Sequence, residues 1–131
     1  MTDLTLQEAM NRTAAGLAKA AEMGVPQNIA IVDAGGNLLH FSRMEEAWLG
    51  SVDIAIKKAR TAAFFRMPTA SIGELSQPGG ELYNVEVTNG GLVTFGGGLP
   101  ITGAGGRVIG AVGVSGGRVP EDVAVAEACL A

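Results

Sequence analysis

Cysteine and histidine each occur once, at Cys129 and His40. A single thiol excludes an intrachain disulfide, which fits a reducing compartment and an expected cytoplasmic location. One histidine, one cysteine and scattered acids give no metal cluster within one chain. No run of about 18 apolar residues is present, so nothing is expected to span a membrane. The N-terminal MTDLTLQEAM has acids in place of a basic region and lacks an apolar stretch, so it does not read as a signal peptide. Positive charge is short as well, 9 Lys and Arg against 13 Asp and Glu for a net charge of −4. Nucleic acid is therefore not an expected partner, because phosphate binding needs clustered cations. Aromatics are only 5% of the chain, so a core must be built from Ala, Val, Ile and Leu.

Familiar nucleotide and nucleophile signatures are missing too. Gly103-Ala104-Gly105-Gly106-Arg107-Val108 fails G-x-G-x-x-G at its last glycine and joins two strands rather than opening a helix. No P-loop lysine follows a glycine run, and no serine sits in a nucleophile elbow.

Glycine and small aliphatics are what the chain has. It is 47% hydrophobic over 131 residues, enough for a single domain (1–131) with an enclosed core. Twelve of the 20 glycines fall between Gly90 and Gly117. Among them stand three apolar runs of strand length, Leu92–Phe95, Leu99–Thr102 and Val108–Val114, each bounded by turn residues. Gly110, Gly113 and Gly116, inside or ending the last run, would let a helix, another backbone or a ligand approach the sheet.

The remaining elements have clear punctuation. Thr5-Leu6-Gln7-Glu8 is a capping box that opens a helix at Leu6, and Gly24 with Pro26 closes it. Asn28–Val32 and Leu38–Arg43 read as strands joined by the turn Asp33–Asn37. A second helix is expected from Ser51 to Met67, with Ser51, Lys58, Thr61 and Phe65 on one face, and a short third helix over Thr69–Ser76. Pro120-Glu121-Asp122 opens the last helix. Hairpin-linked strands with helices before, between and after them indicate an α+β fold: five antiparallel strands with helices on both faces. The helix from Ser51 is apolar on more of its surface than one side of a sheet covers, which predicts a homo-oligomer.

Several phrases, taken in order, carry a resemblance: Val32–Gly36, Gly50–Ala55, Lys58-Ala59 with Thr61-Ala62, Met67-Pro68-Thr69, Gln77–Gly80, Thr88–Gly91, Phe95–Pro100 and Gly110–Gly117. Together they resemble the GlcG/HbpS-like haem-binding family, which includes the C-terminal domain of a corrinoid adenosyltransferase. The likeness runs from about Leu6 to Ala128. It implies a profilin-like fold, assembly into dimers or octamers, and a small-molecule ligand, haem in some members. Other members are tied to glycolate, diol or glycerol catabolism, and one subgroup looks like formaldehyde sensors.

Candidate site residues follow from side-chain chemistry. Haem requires an apolar slot, groups for the propionates and usually an axial ligand. His40 and Arg43 are the candidates for ligand and propionate contact; a second axial bond needs His40 of another subunit, Met44 or Tyr83. The plainer reading of His40 is a half-exposed strand histidine. Lys58, set among Ala, Ile and Phe, is a candidate nucleophile or anion holder. Its plainer role is an ion pair across a subunit interface, or a stem covering apolar surface. Glu86 could act with Lys58 as an acid–base pair, with Tyr83 beside them, while Thr61, Thr88 and Asn89 are candidate ligand contacts. Thr88-Asn89-Gly90-Gly91 also reads simply as a turn. The leading expectation is a haem or tetrapyrrole binder. The alternative is an enzyme or sensor for a small carbonyl compound or hydroxy acid.

Overall fold

The computed structural model describes residues 3–131. Helix α1 (Leu6–Met23) starts where the capping box lies: Thr5 Oγ1 accepts from the Glu8 N–H at 3.1 Å. It stops at Gly24, which takes a left-handed conformation (φ 69°). Strands β1 (Asn28–Asp33) and β2 (Leu38–Arg43) form the first hairpin. Its turn is organised by Asp33, whose Oδ1 accepts from the backbone N–H groups of Gly35 and Asn37, both at 2.9 Å. Helix α2 (Gly50–Phe65) and short helix α3 (Thr69–Leu75) follow, then β3 (Gly98–Thr102), β4 (Val108–Ser115) and α4 (Val119–Leu130).

The sheet is antiparallel, with β1 and β4 central and β2 and β3 at the edges. Alternation along the two central strands divides the core. Ile29, Ile31, Val112 and Val114 face α1 and α4, where Ala9, Ala20, Val125 and Cys129 complete one cluster. Ala30, Val32 and Ala111 face α2 and meet Ala55, Ala59, Ala62 and Ala63. That second layer is made almost wholly of methyl groups, so helix and sheet approach very closely. At Gly113 a Cβ would overlap the Ala55 carbonyl oxygen and lie 2.5 Å from the Ala59 nitrogen. The glycine is there to admit the helix.

The α+β class and the helices on both faces agree with the sequence reading, but among the described residues the sheet has four strands rather than five. Leu92–Phe95 is the exception. Its backbone is committed elsewhere: the Leu92 N–H donates to the Glu86 carbonyl at 2.9 Å, and the Val93 N–H to Thr61 Oγ1 at 3.1 Å. The segment lies over α2 instead of extending the sheet. The neighbouring edge strand β3 carries Pro100, which has no N–H to offer a further strand.

Candidate functional site

Lys58 leaves the buried side of α2 and is 0% exposed. Its ammonium donates to the Val114 carbonyl at 2.8 Å and to Asp122 Oδ2 at 3.0 Å. Asp122 sits in the first turn of α4, on the other side of the sheet, and its Oδ1 accepts from the Gly117 N–H at 2.9 Å. The passage between the faces is opened by glycine: a Cβ at Gly97 (φ 123°) would lie 2.5 Å from the lysine Nζ. Phe95 closes the passage, its ring centroid 5.0 Å from Nζ while the side chain remains 46% exposed. Burial pushes the Lys58 pKa below the usual lysine value, and the neighbouring Asp122 carboxylate opposes that shift. The stretch Phe95–Gly98 thus serves the lysine's route and close backbone packing.

Thr61, one turn further along α2, is buried and spent on structure. Its hydroxyl donates to the Lys57 carbonyl at 2.7 Å and accepts from the Val93 N–H. Glu86 lies on a single 3-10 turn (Val85–Val87), with Oε1 buried and without a hydrogen-bond partner among the described residues. Tyr83, Thr88 and Asn89 are exposed on the same loop. Thr88 donates to the Val85 carbonyl and accepts from Asn89 Nδ2, so this stretch behaves as a self-bonded turn.

His40 occupies a different place. It stands on edge strand β2 opposite Ile31, on the α1 side of the sheet. The ring is half-buried, and its Nδ1 is out of water with no partner among the described residues. Arg43 ends the same strand and is exposed. Two central strands separate His40 on edge strand β2 from the Lys58 ammonium at the β4 end near Gly97. Met44, considered as a second axial donor, has its sulfur engaged by the Gln27 N–H at 3.3 Å.

A family model for haem-degrading HbpS-like proteins matches residues 4–131. The chain belongs to the HbpS-like family. Among HbpS-like relatives, an uncharacterised 15.0 kDa protein from the dhaT-dhaS intergenic region of Citrobacter freundii is 46% identical over 128 residues, spanning 97% of this chain and 89% of that one. The crystal structure of Klebsiella pneumoniae ORFY superposes with a TM-score of 0.95 at 41% identity, covering 99% of this chain and 90% of its own. That of the PduOC haem complex does so with a TM-score of 0.93 at 35% identity, covering 98% and 94%. The phrases that signal the HbpS-like family fall at packing points: Gly50–Ala55 begins α2, Phe95–Pro100 forms the lysine passage, and Gly110–Gly117 is β4 with its exit.

Asp122 is the residue whose role sequence reasoning misses. It reads as an ordinary first-turn acid, and its partner is 64 positions away. A buried lysine needs a counter-charge, and that requirement was the available signal.

Proposed function

We propose that this chain is an oligomeric small-molecule-binding protein, with haem or a related tetrapyrrole as ligand and His40 as an axial donor. The observation that carries the reading is the orphaned imidazole on an open sheet edge. With Nδ1 closed off from solvent, the other ring nitrogen is the one left to meet an iron. Arg43 and exposed Leu38 lie on the α2 side of the same edge strand, so a propionate reaching round the open edge would meet the Arg43 cation. The haem complex of PduOC supports the ligand class. Haem bound there would supply an iron centre for ligand or electron exchange. The chain's own part is to donate one imidazole nitrogen, hold the ring by its packing and neutralise a carboxylate.

One histidine per chain supplies one axial bond, so a second imidazole would come from another copy. A homo-oligomer, a dimer or an octamer of such pairs, also accounts for Trp48 and Leu49, which are 69% and 72% exposed in the single chain. Titration with haemin, followed in the Soret region, tests the binding. Saturation at one haem per subunit or per dimer is expected, and a non-saturating rise overturns the reading. A clean 13.3 kDa species in gel filtration at micromolar concentration would overturn the oligomer.

A second reading, an enzyme or sensor for a small carbonyl compound or hydroxy acid, draws on Lys58, Glu86 and Tyr83. The lowered pKa of Lys58 and the unpartnered Glu86 Oε1 favour it. An imine formed by the Lys58 amine with loss of water would be reduced by borohydride to a stable secondary amine, found by peptide mass.

A further inference from the structure

A cleft of about 600 Å³ opens where the β1–β2 turn, the end of α2 and the β3–β4 hairpin meet, lined by Ala34, Ala63, Arg66, Gly106, Arg107 and Val108. This volume is within the range of small-molecule sites. It lies at the end of the α2 layer, whereas His40 faces α1. Two arginines from segments far apart in sequence line it, and neither pairs with an acid among the described residues. No acid among the described residues lines the cleft, and Asp33, next to Ala34 in sequence, is committed to the turn, accepting from Gly35, the Asn37 backbone and Asn37 Nδ2.

Backbone conformation places both side chains. Arg66 caps α2 in a left-handed conformation (φ 56°), a position where glycine ordinarily ends a helix. Gly105 and Gly106, also left-handed (φ 72° and 75°), make the turn that delivers Arg107 to the start of β4. In a chain of net charge −4, two unpaired guanidinium groups on one cleft are a local reversal of sign. Guanidinium forks hold carboxylate and phosphate oxygens by paired N–H donors. Ala34, Ala63 and Val108 leave apolar wall for a short carbon stem.

We infer that this cleft binds a small dianion, a dicarboxylate or a phosphomonoester, through Arg66 and Arg107. The site is distinct from the proposed haem position and does not depend on it.

Calorimetric titration at low ionic strength tests the inference, with succinate and inorganic phosphate as separate probes. The proteins are the wild type, Arg66→Gln, Arg107→Gln, the double variant, His40→Ala and Arg118→Gln, the last an exposed arginine of equal charge away from the cleft. At least one probe is expected to bind saturably, and which one binds identifies carboxylate or phosphate as the preferred group. Each cleft replacement should weaken binding roughly tenfold, the loss of one charge-assisted hydrogen-bonding partner. The double variant should abolish it, and His40→Ala and Arg118→Gln should leave it unchanged. No heat with either probe, equal binding by the double variant, or equal loss in Arg118→Gln overturns the inference.

Discussion

Lys58 Nζ lies 3.0 Å from Asp122 Oδ2, with the two side chains 0% and 3% exposed, and this contact joins the helix layers on opposite faces of the sheet. Each partner also holds backbone, Lys58 through the Val114 carbonyl and Asp122 through the Gly117 N–H. The pair accounts for Gly97, where a Cβ would lie 2.5 Å from the lysine Nζ.

Lys58→Met should therefore be costly. Removing one partner of a buried pair strands the other charge, at about 3–5 kcal/mol. Urea unfolding would read the loss. Adding Asp122→Asn should restore a good part of it, since the amide oxygen can still accept from Gly117 while the stranded charge is gone. A single-variant loss under about 1 kcal/mol, the range of exposed pairs, would contradict the structural role given to Lys58.

The α2 face makes a sharper packing prediction. Gly113→Ala has no room, with the Ala55 oxygen and the Ala59 nitrogen in the way, whereas Gly50→Ala meets nothing within 4 Å. Overpacking of this kind costs about 1–3 kcal/mol or more, and Gly50→Ala in the first turn of α2 should be neutral or slightly stabilising. Thermal melts should show Gly113→Ala well below the wild type and Gly50→Ala level with it or above. Equal melting temperatures would contradict the methyl-thick interface.

Cys129 should be inert while the chain is folded. Burial pushes its thiol pKa up from 9.0 to about 12, with the Arg12 charge only partly offsetting that shift. At pH 8 the thiolate fraction falls about a thousandfold, so a disulfide reagent should label the native protein that much more slowly than the urea-unfolded chain. The sign of the linked stability follows. Between pH 9 and 12 the unfolded chain releases a proton that the folded one keeps, so this thiol's contribution to stability declines as pH rises. Equal labelling rates in the two states would contradict the assignment.

Short-range features of this fold are legible in the sequence because their causes are local. Thr5 and Glu8 are one helical turn apart, Asp33 bonds within four residues, and Pro68 separates two helices by sterics alone. Leu92–Phe95 misleads for the opposite reason. Its composition suits a strand, but Thr61 and Glu86 take its N–H groups, and only tertiary packing sets that competition. The lysine is similar. Its apolar neighbours mark Lys58 as unusual, yet Asp122 is found only once both faces of the sheet are assembled. His40 and Lys58 both stand out by residue type, and only strand order and register show that they stand towards opposite edges of the sheet.

The most direct measurement of the central claim is the spectrum of haemin-loaded wild type beside His40→Ala, with and without added imidazole. An axial His40 predicts that the variant loses the saturable Soret and low-spin ferric signals and that free imidazole restores them. A variant that binds haemin with the wild-type stoichiometry and spectrum would contradict the assignment and move the ligand away from β2.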